Sequence, residues 1–102
     1  MNADGSGVGS EPVALFMVIE TFKGGDPAAV GERFRAKGRM IDERSDATFV
    51  ASWMAADGSR CWQLMEAPNR GALDHWIANW ADLVEFDVIP VQTSEDFWRA
   101  RA

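Results

Sequence analysis

The chain has 102 residues, the size of one domain, and a formal net charge of −6 with 16 acidic against 10 basic residues and no basic cluster. That balance argues against nucleic acid and anionic membranes as partners. A single cysteine, Cys61, has no partner for an internal disulfide, and with His75 as the one histidine it cannot complete a zinc site, so a reducing, cytoplasmic setting without a bound metal is expected.

Residues 1–12, MNADGSGVGSEP, are rich in Gly and Ser. They carry too little apolar surface to offset the entropy of ordering them and lack the basic start and apolar core of a signal peptide. A disordered tail is expected there, followed by one folded domain over residues 13–102. Residues 13–22, VALFMVIETF, form a strand apolar on both faces, with Leu15, Met17 and Ile19 on one and Phe16, Val18 and Phe22 on the other. A strand of that kind needs a cover on each side and belongs in the middle of a sheet.

Lys23-Gly24-Gly25 breaks the strand. Asp26 then caps a first helix over residues 27–37, with Pro27 at a position where its missing N–H costs nothing. Val30 and Phe34 begin its apolar line, Arg33, Arg35 and Lys37 suit its negative end, and Gly38 closes it. Gly31 inside the helix costs about 1 kcal/mol relative to alanine, read either as close packing against the sheet or as a tolerated defect.

Thr48–Met54 and Arg60–Ala67 flank Ala56-Asp57-Gly58-Ser59, and Asp-Gly between aromatic-bearing strands predicts a hairpin. The second arm, Arg60–Ala67, is again apolar on both faces. Asn69 caps a second helix whose Leu73, Trp76, Ile77 and Trp80 fall at i, i+3, i+4 and i+7, the spacing of one buried stripe. Val84–Val91 reads as a last strand, and Pro90 near its end assigns it to an edge. Thr93 then caps a short terminal helix whose Phe97 and Trp98 are expected to dock on the domain.

Strand, helix, strand, strand, helix, strand is the ferredoxin-like βαββαβ order of the α+β class. It implies a four-stranded antiparallel or mixed sheet of order 4-1-3-2, two helices on one face and a short C-terminal helix. The first and third strands are expected side by side and parallel in the centre. With helices on one face only, the other apolar face needs a second copy of the chain, and a homodimer is expected.

LFMVIETFKG from Leu15, Glu32-Arg33-Phe34 with Gly38-Arg39-Met40, Ser52-Trp53, the run RCWQLME from Arg60, and DLVEF from Asp82 together resemble a family of short bacterial proteins known only as a domain of unknown function. That family is placed among the dimeric α+β barrel proteins. The departure lies in IDERSDATF from Ile41, where the family pattern carries a Pro- and Gly-containing turn leading to Tyr. The resemblance implies the fold and the dimer. It brings no reaction and no catalytic residues.

For chemistry, the leading candidates are Glu20 and Glu66. They are expected to end two adjacent parallel strands at the same end of the sheet, where neighbouring charge raises one pKa and makes a general acid or base. Against that, each also reads as the solvated end of a strand. Trp53, Trp62, Trp76 and Trp80 are candidate walls for an apolar or aromatic ligand, although aromatics at helical spacing more often fill a core. Arg39 and Arg60 are candidates to pair with the glutamates or to hold an anionic ligand. His75 falls with Asn79 and Asp82 on the wet face of the second helix, and Cys61 reads as a small buried side chain. There is no phosphate-binding glycine loop, nucleophile elbow or metal-ligand pair, so no cofactor is expected. Three functions follow: a binding protein for a small apolar or aromatic molecule, a cofactor-independent monooxygenase or isomerase using a strand-end glutamate, or a structural interaction module.

Overall fold

A computed structural model describes residues 13–102, so the tail expected over residues 1–12 lies outside the described residues. The elements are β1 (Ala14–Phe22), α1 (Ala28–Lys37), β2 (Thr48–Met54), β3 (Arg60–Ala67), α2 (Asp74–Ala78), β4 (Val84–Val91) and α3 (Ser94–Arg99). The strands form one sheet of order β2-β3-β1-β4, the expected 4-1-3-2 arrangement read from its other edge. Pro90 sits on the outer strand β4, where no ladder partner is lost.

Every neighbouring pair is antiparallel, β1 with β3 included. The expectation of parallel central strands is thereby corrected. The crossover through α1 makes β1 parallel to β2, and the β2–β3 hairpin then reverses the chain, so β3 must oppose β1. Gly58 takes φ 77 in that hairpin, and the Ala55 N–H donates to the Arg60 carbonyl at 2.8 Å to close it.

Register sorts the sheet into two faces. On one, Phe16, Val18 and Phe22 of β1 lie beside Cys61, Met65 and Ala67 of β3 and Val84 of β4, all buried. Leu73, Trp76 and Trp80 cover this face from the α2 region, with Val30 of α1 packed against them. At the other face, successive cross-strand rows read Asp87, Ile19, Trp62, Trp53, then Ile89, Met17, Leu64, Ala51, then Val91, Leu15, Glu66, Thr48. Among the described residues no helix covers this face, and Trp53 and Ile89 are 54% and 41% exposed.

The helices form for the local reasons expected and differ in extent. The Asp26 carboxylate accepts from the Ala28 N–H at 2.9 Å, and Gly38, at φ 71, donates its N–H to the Phe34 carbonyl at 2.7 Å. The Asn69 side chain accepts from the Ala72 N–H at 3.0 Å, but this cap opens a 3-10 turn, Arg70–Leu73, and α2 itself has only five residues. Asn79 and Trp80 continue in tight turns, donating to the carbonyls three residues back. Leu73, Trp76 and Trp80 still reach the core from this uneven segment.

The terminal helix α3 is a second correction. It has no buried residue and Trp98 is 66% exposed. Phe97 and Trp98 meet edge to face at 5.0 Å, with the Arg101 guanidinium 3.8 Å from the Phe97 ring centre. The two aromatics pack on one another, leaving Phe97 half-buried and Trp98 exposed. No helix among the described residues is long and apolar enough to cross a membrane.

Candidate functional site

The covered face of the sheet is not filled to the helices. Between them lies a cavity of about 330 Å³, walled by Phe22, Val30, Phe34, Trp76 and Trp80 and floored by side chains of β1, β2 and β3. It lies in the usual size range for small-molecule sites. Part of the space exists because α1 stays shallow. It has no buried residue, and at Gly31 a β-carbon would meet only the Arg35 Nη1 atom, at 3.4 Å. Gly31 is therefore not a point of close packing against the sheet: it lines the cavity.

Two polar side chains break the apolar floor. Glu20 of β1 and Gln63 of β3 are 7% and 6% exposed. Glu20 is registered opposite Cys61, and Gln63 opposite Val18, so the two are diagonal neighbours on one face. The Gln63 Nε2 group donates to Glu20 Oε2, and the Arg39 Nε–H donates to Gln63 Oε1 at 2.7 Å. Arginine only donates, so it fixes which way the Gln63 amide points, and Gln63 in turn must donate to the carboxyl group. One Glu20 oxygen is thereby assigned as an acceptor. The other is left to carry a proton.

Burial pushes the Glu20 carboxyl up from 4.5 to about 7, against the Gln63 hydrogen bond and the Arg39 charge, which both pull it down. Cys61 beside it is pushed up to about 11, first by burial and then by the Glu20 charge, with Arg39 opposing. Its thiol is therefore held protonated and unreactive near neutral pH.

Arg39 is placed by an unusual piece of chain. Gly38 and Met40 on either side have φ of 71° and 62°, and such a conformation is strained for methionine. Hydrogen bonds hold it there. The Trp80 Nε1–H donates to the Arg39 carbonyl at 3.0 Å, and the Asn79 side-chain N–H to the Met40 carbonyl at 3.0 Å. The guanidinium of Arg39 lies 3.7 Å from the Phe49 ring centre and 5.2 Å from that of Phe34. A second arginine, Arg33, binds Asp82 with two bonds of 2.7 Å and the Asn79 carbonyl at 3.0 Å, joining α1 to the end of the α2 region.

Of the residues singled out in sequence, Glu20, Arg39, Trp76 and Trp80 come together at the cavity. Glu66 does not join them. Antiparallel pairing registers it opposite Leu15, toward the far end of β1 from Glu20 and on the open face. Trp53, Trp62 and Arg60 also lie on that open face, where Arg60 sits 5.7 Å from the Trp62 ring centre. His75 is exposed as expected, whereas Asn79 and Asp82 are engaged in the bonds above. Gln63, Phe22 and Phe34 were missed as site residues. Gln63 carried a readable signal, a polar residue at an inward position between Cys61 and Met65.

Among the described residues no group of three or more His, Cys, Asp or Glu side chains is arranged to hold a metal ion. No curated protein and no solved structure matches the chain. A family model does match, over residues 14–102, and by it the chain belongs to the family described as domain of unknown function DUF3303.

Proposed function

We propose that this protein is a small homodimer that binds an apolar or aromatic molecule in the cavity between its sheet and helices. The observation that carries the reading is the cavity itself: aromatic walls around a floor where a half-buried Arg39 bonds the buried Gln63, which in turn bonds the buried Glu20. Apolar walls supply affinity and a few fixed polar groups supply orientation. A volume of about 330 Å³ is roughly twice that of a 150 Å³ cavity that accepts benzene, which suits two fused rings.

The dimer rests on the uncovered face. Strands about 4.8 Å apart and some eight residues long at about 3.4 Å each give a face of roughly 500 Å², or about 1,000 Å² for two copies, the lower bound for a specific interface. Its central rows are apolar, Ile89, Met17, Leu64 and Ala51 among them, with Glu85, Asp87, Arg60 and Glu66 nearer its margins. That is the pattern of an interface core with a polar rim.

A second reading, proton-transfer catalysis, is favoured by one observation: Glu20, the only carboxylate among the described residues that line the cavity, is pushed by burial up to about 7. Its ionised form can remove a proton from an acidic C–H or O–H of a bound molecule and return it elsewhere, an isomerisation that needs no added reactant. Protein purified under native conditions, examined by native mass spectrometry and absorption spectroscopy, tests the binding reading. A co-purifying small mass or chromophore lost on Gly31→Leu, which fills the cavity, supports it. Retention of the same mass by that folded variant places the ligand elsewhere and refutes it.

A further inference from the structure

The polar groups on the cavity floor do not use one another up. Gln63 spends its amide on both neighbours, accepting from the Arg39 Nε–H and donating to Glu20 Oε2. Glu20 Oε1 and both Nη groups of Arg39 are left without a hydrogen-bond partner among the described residues. The one buried side-chain polar atom there that lacks a partner is Trp76 Nε1, so the free atoms of Glu20 and Arg39 are not sealed inside the protein. Both side chains line the cavity. The Arg39 guanidinium lies over the Phe49 ring at 3.7 Å, and a guanidinium stacked by its face keeps its edge for hydrogen bonding. Charge points the same way. Arg35, exposed on α1, also lines the cavity, and among the described residues neither Arg35 nor Arg39 is in a salt bridge. Two guanidinium groups therefore stand against one carboxyl group in the cavity lining.

Resting on the binding reading above, we propose that the cavity takes an aromatic acid, its carboxylate held between the Nη groups of Arg39 and the free oxygen of Glu20 and its rings against Trp76 and Trp80. The Nη edge of a guanidinium offers paired N–H donors, the arrangement a carboxylate accepts best. Glu20 takes part through its proton. Protonated, it donates to the bound carboxylate; ionised, it repels it. Binding of the acid and protonation of Glu20 are therefore linked. The other groups around Glu20 keep one charge state near neutral pH. Gln63 and the tryptophans carry none, β4 presents Phe86 directly opposite it, the Cys61 thiol on β3 is held up to about 11, and arginine is cationic throughout. A neutral amide in place of the carboxylate forgoes the ionic attraction, and an ammonium group is repelled by both arginines.

The test uses the full chain and three probes of one ring system: 1-naphthoate, 1-naphthamide and 1-naphthylmethylamine. Affinities come from calorimetry at pH 6 and pH 8. At pH 6 the expected result is that 1-naphthoate binds about tenfold more tightly than 1-naphthamide, as one charge-assisted hydrogen bond allows, and the amine binds weakest. Arg39→Gln removes that preference. Moving to pH 8 weakens 1-naphthoate about tenfold, because with a pKa of about 7 the fraction of Glu20 that keeps its proton falls by that factor, and leaves 1-naphthamide unchanged. Equal binding of 1-naphthoate and 1-naphthamide, or tightest binding of the amine, overturns the acid assignment while leaving an aromatic-binding cavity in place. A preference kept by folded Arg39→Gln overturns it as well. So does a 1-naphthoate affinity that stays level from pH 6 to pH 8 in the wild type, a readout that needs no variant. If none of the three binds, both this inference and the binding reading fail.

Discussion

Replacing Glu20 with glutamine isolates the consequence of burying a carboxyl group at the centre of the covered face. In the folded protein its pKa is about 7, against 4.5 for the free side chain. The folded state therefore holds the proton over a pH range in which the unfolded chain has released it. Stability follows the difference in bound protons, so the wild type loses stability as pH rises from about 4.5 to about 7 and is indifferent to Glu20 above that. At about 1.36 kcal/mol per pH unit the loss is roughly 3 kcal/mol. Glutamine keeps the shape and an oxygen to accept from Gln63 but does not titrate, and any change in that hydrogen bond adds a constant offset. Urea unfolding of both proteins between pH 4 and pH 8, at one protein concentration, gives the two profiles. Glu20→Gln is expected to gain on the wild type by roughly 3 kcal/mol across the window and to hold that gain above it. Other titrating groups cancel in the difference. A stability difference that stays flat from pH 4.5 to pH 8 refutes the claim that Glu20 is buried and proton-binding.

Three further outcomes are expected. Gly31→Ala raises stability by up to about 1 kcal/mol, because the β-carbon meets only the flexible end of the Arg35 side chain, at 3.4 Å, and helix propensity improves; thermal unfolding measures it, and a lower Tm means the site is tighter than the geometry allows. Leu64→Glu, at the middle of the uncovered face, turns the proposed dimer into a folded monomer by light scattering, whereas a dimer of unchanged mass at micromolar concentration assigns the interface elsewhere. The Cys61 thiol, held up to about 11, reacts with a disulfide reagent at pH 8 far more slowly in the folded protein than in urea. Equal rates indicate an open thiol.

Much of the architecture was legible because it rests on local chemistry that tertiary packing did not contradict. The Asp-Gly hairpin, the Asp26 and Asn69 caps, Gly38 and the edge position of Pro90 each have a short-range cause. What failed was orientation. Strand direction in the centre of the sheet depends on the whole path through α1 and the hairpin, and mistaking it put Glu20 and Glu66 at one end when register separates them. The tryptophans divided for a related reason. Trp76 and Trp80 sit on a stripe that periodicity aims at the core, but Trp53 and Trp62 alternate onto the opposite face and have no part in the cavity. Gln63 could not be ranked from its own residue type; its importance lies in the bonds to Arg39 and Glu20, which join residues 24 and 43 positions apart.

What binds these observations together is where the fold accepts unfavourable choices. A glycine sits inside α1, where alanine is the better helix former. Met40 adopts a left-handed backbone conformation that usually falls to glycine or asparagine. Glu20 occupies a position on the apolar face of a central strand, between Val18 and Phe22, where an aliphatic side chain would pack. Trp76 buries an unpartnered N–H where phenylalanine would fill similar space. Each is a local cost with an available remedy of one substitution, and random tolerated defects would be scattered over the chain. Here Gly31, Glu20 and Trp76 line one cavity, and Met40 adjoins Arg39, which lines it as well. Sequences that satisfy local rules elsewhere and break them together at one place do so where a ligand or a reaction imposes its own demands. That clustering is what the proposed binding role leads one to expect, since an occupant of the cavity offers these residues a use that the stability of the domain alone does not.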